Sequence, residues 1–494
     1  MTSQSNVKKL FGQSSHYVMG TILATVSHLI TFPIFTRLFS VADYGILSLI
    51  TVGISTTVAF SKLGLTSASV RMYEECKAEE SSYNLGNYYS TFFLAICASA
   101  SIVTVLYAIF AYFFSGVIFG SALSGLFLFT SIIVLSRTIK FTLMSFLRAE
   151  QKTRLYNVLV VLFAYVGSGL SVVLVLFFIK GLWGFYVGQV IIEGVAVTLL
   201  LRYLFKSYKP CIKDFSISLL KEGLKYGVPL VGLEFLNHIL SYGDRFFITL
   251  FCPPESLGLY SVGYNLSAYV SNVLLVPLLF AVTPLLMQTW TRDGKAATQK
   301  FLSSSLRYIA LVLFPVFAGF IAVGKELLLL LASSKYSEAS IIIPFAAVGI
   351  GCFALANFFN SGLIVYKKTN RIFFFSLSAA IINTVLNVVL IPRYNIVGAA
   401  VATLVAYGFF LVAIAISSFR LLPYSINYKK IFLYFVSSII MTFITTLFSS
   451  NNLFLSLLVK VIMGVVVYCV VVLILDSEIR CVGLSMLKKW KNRV

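Results

Sequence analysis

The chain has 494 residues, of which 59% are hydrophobic and only 11% charged, and its mean hydropathy is +0.96. A soluble fold of this length has too little interior to hide that apolar surface, so the composition selects an integral membrane protein. The net charge of +21 is not gathered into any dense basic domain, which makes it a signal of membrane topology and excludes nucleic acid as a partner.

Apolar segments able to cross a ~30 Å hydrocarbon core, at ~20 residues per crossing, recur about fourteen times. In chain order they lie near residues 14–36, 45–70, 88–114, 117–136, 156–179, 182–201, 226–251, 258–288, 303–324, 339–366, 372–391, 395–419, 431–448 and 453–475. Every second gap is rich in Lys and Arg, beginning with Lys8 and Lys9 and running through Arg71 and Lys77, then Arg137, Lys140, Arg148, Lys152 and Arg154. Arg292, Lys295, Lys300 and Arg307 fill a later gap of the same parity, and these alternate gaps with the tail hold 30 of the 38 basic residues. The positive-inside rule then predicts that both termini are cytoplasmic, in agreement with an even number of spans.

The remaining features narrow the chemistry. Seven cysteines, at 76, 97, 211, 252, 352, 469 and 481, stand singly with no CxxC spacing and no His at ligand spacing, so they read as small apolar residues and not as disulfides or metal ligands. No outer gap is long enough for a folded catalytic domain, and no DxD occurs, which points away from an enzyme. The stretch Gly319–Glu326, GFIAVGKE, imitates a phosphate-binding loop, but Glu326 stands where Ser or Thr should hold Mg²⁺. No cofactor is expected, and transport would be passive or coupled to a proton or sodium gradient.

A weak self-similarity runs through the chain at an offset of 213 to 216 residues. Thr36, Gly45 and Ser48 match Thr249, Gly258 and Ser261, and further on Lys152 and Thr153 match Lys368 and Thr369. Six spans separate the matched segments, so the repeats share one orientation and are related by an axis along the membrane normal. The expected architecture is all-α: a six-helix lobe over 1–208, a second over 216–420, two extra helices within 427–476 and a basic tail over 477–494. Two such lobes have the geometry of alternating access.

Ionisable residues inside spans are expensive and mark function. In the second span Ser48, Thr51, Ser55, Lys62, Thr66 and Ser69 fall on one helical stripe, predicted to face water or the partner lobe; the structural alternative pairs Lys62 with Glu193 on span six. In the seventh, Glu234, His238, Ser241 and Arg245 recur at helical spacing, with Asp244 beside Arg245. Glu234 and His238 are candidates for proton coupling, because burial can bring a carboxyl or imidazole into the physiological range. His28 shares a face with Thr21 and Thr25, while Arg37 is near enough to the outer interface to snorkel. On the eighth span Ser261, Asn265, Tyr269 and Asn272, with Tyr260 and Tyr264 nearby, offer a surface for sugar hydroxyls and ring faces. Asn383 and Asn387 suit interhelical hydrogen bonding. Lys62, Arg245 and Arg37 bias the interior toward an anionic passenger such as a diphosphate.

The run from Lys225 to Ser267, KYGVPLVGLEFLNHILSYGDRFFITLFCPPESLGLYSVGYNLS, resembles the seventh-to-eighth-span signature of bacterial polysaccharide biosynthesis flippases: a Tyr-Gly-x-Pro entry, an Asp-Arg pair and a Leu-Gly-x-Tyr-Ser turn. The segment Asp43 to Arg71, with YGILS and LGLTSA, resembles the same family's second span. The resemblance implies an O-antigen or capsular repeat-unit flippase of the multidrug/oligosaccharidyl-lipid/polysaccharide exporter superfamily. Such a protein carries undecaprenyl-diphosphate-linked oligosaccharide to the outer leaflet of the bacterial inner membrane, with a polysaccharide polymerase and other assembly proteins as possible partners. It further implies that Lys62 and Arg245, with Arg37 and Arg71, form a cationic cavity, that Asp244 orients Arg245, and that the lipid tail slides along a lateral opening. The alternatives are a drug or cation antiporter of the same superfamily, which would need acidic residues in its cavity, and a peptidoglycan-precursor flippase.

Overall fold

The computed structural model describes residues 2–78, 82–119, 121–206 and 208–481; side chains at 2–18, 21, 121, 122, 276–278, 280 and 281 fall outside the description. Lys8, Lys9, the Thr21 side chain and the tail beyond Cys481 therefore lie outside the described residues. All regular structure among the described residues is helical. This is what a lipid solvent demands, because a helix satisfies its own backbone groups without water.

The first six crossings are α1 (Thr2–Leu38), α2 (Val41–Ser61) continued by α3 (Leu65–Lys77), α4 (Leu85–Phe119), α5 (Ser121–Phe129) continued by α6 (Ser131–Ala149), α7 (Thr153–Phe177) and α8 (Leu182–Leu204). Next come α9 (Ile217–Phe251), α10 (Pro254–Leu274), α11 (Val276–Ala332), α12 (Ile343–Val365), α13 (Thr369–Leu421), α14 (Tyr428–Leu447) and α15 (Leu453–Leu475). Two of these are really pairs of helices. Backbone at Gly294 (φ 75°) divides α11, and Asn395 (φ 51°), just after Pro392, divides α13. With α10 running on into the first part of α11, the segments number fourteen among the described residues, close to the predicted positions except for the fourth.

The chain forms two compact units. The first comprises Met1–Ser261 and Ser376–Ala399. Its core gathers Met72, Tyr88, Phe92, Phe146, Leu147 and Leu200 from α3, α4, α6 and α8. Repeat-related Gly45 and Gly258 meet there backbone to backbone: a Cβ on Gly45 would sit 2.7 Å from the Gly258 nitrogen. The second unit comprises Val262–Phe375 and Ala400–Val494, and within it α14 and α15 pack on α11 around Tyr434, Met441 and Tyr468. Large apolar side chains remain on the outside of both, Phe113 at 66% and Val465 at 59% exposure among them, as lipid-facing surface requires.

One expectation is corrected by the fold. Arg137 and Lys140 do not lie in a gap: they sit within α6, in the crossing Leu123–Ala149, because that span begins and ends later than hydropathy alone suggests. Arg307, in α11, instead stands at the level of the gap, beside Asp476 at the end of α15 and Lys430 at the start of α14. The glycine-containing stretch Gly319–Glu326 is continuous helix, so it has no phosphate-binding loop, and Glu326 pairs with Lys460.

Candidate functional site

The second crossing breaks where Lys62 stands. Leu63 (φ 46°) and Gly64 (φ 69°) both take the left-handed conformation, and Lys62 is the C-cap of α2. Gly64 lies against the backbone of Gly227 on α9 so closely that a Cβ would fall 2.1 Å from the Gly227 carbonyl oxygen. This close approach brings Lys62 Nζ to 2.6 Å from Glu234 Oε1. The predicted alternative partner, Glu193, is engaged elsewhere: its carboxylate takes Arg137 Nε at 2.8 Å and Lys140 Nζ at 2.7 Å. Gln189 Oε1, one turn before it on α8, accepts from Arg137 Nη2 at 3.3 Å.

The two ion-pair groups share one aromatic ring. Lys62 Nζ lies 5.6 Å and Lys140 Nζ 5.9 Å from the centroid of Phe141, within cation–π range. His28 is exposed on α1, and His238 is half-buried on α9. Each charged residue stands near the middle of its own crossing: Lys62 in Val41–Lys77, Arg137 in Leu123–Ala149, Glu193 in Leu182–Leu204 and Glu234 in α9. Three cations (Lys62, Arg137, Lys140) against two carboxylates (Glu193, Glu234) leave one positive charge in excess. At mid-membrane depth an uncompensated charge costs several kcal/mol.

Arg245 belongs to a second, closed network. Its side chain is 1% exposed. Its Nε donates to Ser48 Oγ at 3.1 Å, its Nη1 to the Ser241 carbonyl and to Asp244 Oδ1, both at 3.3 Å. Tyr260, fully buried, donates its hydroxyl to Asp244 Oδ2 and presents its ring to the guanidinium at 5.8 Å. The expected pairing of Asp244 with Arg245 is present in the structure. In this conformation, however, Arg245 is enclosed and not cavity-lining, and Tyr260 is a partner of Asp244 instead of a sugar contact; the tight packing at Gly45 and Gly258 closes this end of the unit.

The second-span stripe divides at the break: Ser48 meets Arg245 and Lys62 meets Glu234, both on α9, the first helix of the expected second lobe, whereas Ser69, beyond Leu63–Gly64, is buried against Ser145 on α6 (Oγ to Oγ 3.1 Å) instead of facing water or that lobe. Arg37 ends α1 exposed, with Nη1 donating to the Pro33 carbonyl at 3.1 Å, and exposed Arg71 stacks on the Tyr226 ring at 4.4 Å. Neither joins the mid-membrane layer. Asn387 Nδ2 donates to Asn383 Oδ1 at 3.0 Å within α13, one turn apart on a single helix.

In the second unit Tyr264 is buried with its hydroxyl 3.4 Å from that of Tyr407; Asn265 and Tyr269 are half-buried and Asn272 is exposed. An apolar cavity of about 660 Å³ opens among α10, α11, α14 and α15, lined by Leu311, Pro315, Phe320, Gly464, Tyr468 and Val472. Beside it, Asp476 accepts from Arg307 Nη2 at 2.9 Å and from the Tyr434 hydroxyl at 2.6 Å, and also pairs with Lys430.

Fourteen helical segments among the described residues define a polytopic membrane protein. Residues 34–341 match the model of the "Polysaccharide biosynthesis protein" family, and the chain belongs to that family. It is 23% identical over 276 residues to the "Probable low-salt glycan biosynthesis flippase Agl15" of Haloferax volcanii; the match takes in 53% of this chain and 58% of that protein, a little over half of its length. Among solved structures, "Lipid II flippase MurJ, inward closed conformation" superposes with a TM-score of 0.75 at 17% identity, covering 93% of this chain and 98% of its own. An inward-facing multidrug resistance MATE family transporter of the MOP superfamily gives 0.63 at 12% identity, over 80% of this chain and 94% of its own. A MOP superfamily transporter from Pyrococcus furiosus, described as having a binding pocket of reverse polarity, gives 0.58 at 12%, over 83% and 95%. These likenesses establish the fold.

Proposed function

We propose that the chain is a flippase for lipid-linked oligosaccharide, moving undecaprenyl-diphosphate-linked repeat units of O-antigen, capsule or exopolysaccharide from the cytoplasmic to the periplasmic leaflet of a bacterial inner membrane by alternating access. The observation that carries this reading is the mid-membrane layer in which Lys62, Arg137 and Lys140 outnumber Glu193 and Glu234. A diphosphate cannot enter hydrocarbon uncompensated, and Lys and Arg at half-height supply the opposite charge over the least favourable part of its path. A cation antiporter would need the reverse excess. The apolar cavity by α15 offers a surface for a polyprenyl tail. Family membership and the name of the Haloferax relative support a glycan on that lipid. Both termini are then cytoplasmic, as the Lys and Arg pattern predicts.

A second reading, a peptidoglycan-precursor flippase, is favoured by the TM-score of 0.75 to a lipid II flippase, and its passenger also carries a diphosphate. Deleting the gene and probing extracted lipid-linked glycans with a membrane-impermeant reagent tests both. Repeat units held on the cytoplasmic face with loss of surface polysaccharide are expected. Accumulated peptidoglycan precursor would select the second reading, and normal distribution of both lipids would refute the proposal.

A further inference from the structure

The two carboxylates of the charge layer are held in different ways. Glu193 is 3% exposed and gripped from two sides by Arg137 and Lys140, with distances of 2.8 and 2.7 Å. Glu234 is 40% exposed and is held by one cation, Lys62, whose own side chain is 16% exposed. The first carboxylate is a fixed part of the framework. The second rests at an edge where it can leave, since a single ion pair open to solvent is weak.

A place for the departing carboxylate is already present. His238 lies one helical turn beyond Glu234 on α9, the spacing at which side chains on a helix meet. Its Nδ1 is buried and has no hydrogen-bond partner among the described residues. A buried, unsatisfied ring nitrogen is costly, and a carboxylate arriving from the preceding turn would satisfy an Nδ1–H. The His238 ring is steadied on its other side by Tyr242, at 5.7 Å between centroids. The remaining charged groups facing this spot are Lys62 from the α2–α3 break and, across the Phe141 ring, Lys140 from α6.

We infer that Glu234 is an internal stand-in for the passenger's phosphate: it neutralises Lys62 in the empty carrier, yields Lys62 to an incoming diphosphate and turns to His238 while the passenger is bound. The exchange rests on the anionic-passenger reading. It gives the carrier a way to release a strongly bound anion, because the carboxylate competes for the same ammonium and expels the diphosphate as it returns.

The test is binding of undecaprenyl diphosphate, with undecaprenol as the uncharged control, to the full chain in nanodiscs. Glu234→Gln removes the competitor without changing shape and should tighten diphosphate binding about two- to fivefold, the scale set by one weak ion pair, while slowing release. His238→Phe removes the resting place and should weaken binding several-fold in the wild-type background. In the Glu234→Gln background the same change should have no effect, since nothing then needs to move, and this non-additivity is a readout that a merely structural role would not give. Equal binding by Glu234→Gln and wild type, or an effect of His238→Phe that persists without Glu234, overturns the exchange alone, provided that wild type prefers diphosphate and Lys62→Gln loses the preference. Equal binding of diphosphate and undecaprenol by the wild type overturns the anionic-passenger reading, and the exchange with it.

Discussion

Replacing Glu193 by Gln would leave Arg137 and Lys140 side by side in the middle of a membrane crossing with no neutralising charge. Breaking a buried pair by removing one partner costs ~3–5 kcal/mol. Here the two cations keep 21% and 18% side-chain exposure, and that residual solvation lowers the expected loss to ~2–3 kcal/mol. Lys140→Met should do the opposite. It removes the excess charge, leaves Arg137 and Glu193 matched one to one, and preserves the apolar stem of the lysine, so stability should hold or rise by up to ~1 kcal/mol. Thermal unfolding of the purified chain in one detergent compares the three proteins, and diphosphate binding in nanodiscs separates stability from function. Wild type is expected to lie between the variants in stability and above Lys140→Met in binding, since that variant loses the excess charge. An unchanged midpoint for Glu193→Gln, or a large loss for Lys140→Met, would refute the claim that the layer carries one positive charge more than its own framework needs.

Gly64→Ala should destabilise by ~2–4 kcal/mol, since φ is 69° and the added Cβ would meet the Gly227 carbonyl oxygen at 2.1 Å; urea or thermal unfolding in detergent reads it, and a tolerated alanine would show that the α2–α3 break is not locked to α9. Asp244→Asn strips the buried Arg245 of its counter-charge and is expected to cost ~3 kcal/mol, against ~1–2 kcal/mol for Tyr260→Phe, measured in the same way, with the reverse ranking counting against a closed network. Burial by itself would raise the carboxyl of Asp476, but hydrogen bonds from Lys430, Tyr434, the Ile479 amide and Arg307 outweigh it and hold the group well below the ordinary carboxylate range. Because the folded value is depressed, the stabilisation is fully present above the unfolded value of 3.8 and is lost only as pH falls below it toward the folded value. The attachment of α15 to α11 and α14 should therefore be indifferent to pH between 5 and 8, and Asp476→Asn should expose amides of α15 to hydrogen exchange across that whole range.

The architecture was legible because hydrophobic length is read directly from composition: bilayer thickness forces ~20 apolar residues per crossing, and neither tertiary packing nor sequence drift can disguise that. The requirement for glycine at 45 and 258 has a physical reason, because two backbones that touch tolerate no side chain. The Glu234–His238 face was legible from helical spacing on α9, which is unbroken helix there despite Pro229. What could not be read was partner choice. Lys62 sits at a break created by two left-handed residues, and spacing along an ideal helix says nothing about where a side chain points beyond such a break. Arg137 and Lys140 were hidden for a related reason. Basic residues at the end of an apolar window look like a cytoplasmic gap, and only the neighbouring helix, with Gln189 and Glu193 facing them, shows that the crossing continues past them. A carboxylate at the centre of an otherwise apolar span, as Glu193 is in α8, was the available clue, because such a residue demands cations at the same depth.

That demand connects the fold to the passenger. A membrane protein that needed only rigidity could hold α6 to α8 with small residues and hydrogen bonds, which carry no Born penalty. This chain instead places two cations on one carboxylate at half-height and a third cation beside them on a helix break. Glu193 makes Arg137 and Lys140 tolerable in hydrocarbon without neutralising both, while Glu234 covers Lys62 loosely enough to be displaced. The incomplete neutralisation is thus divided between a permanent share and an exchangeable one. In the proposed exchange, attraction and release are therefore assigned to different residues, and each can be removed without the other.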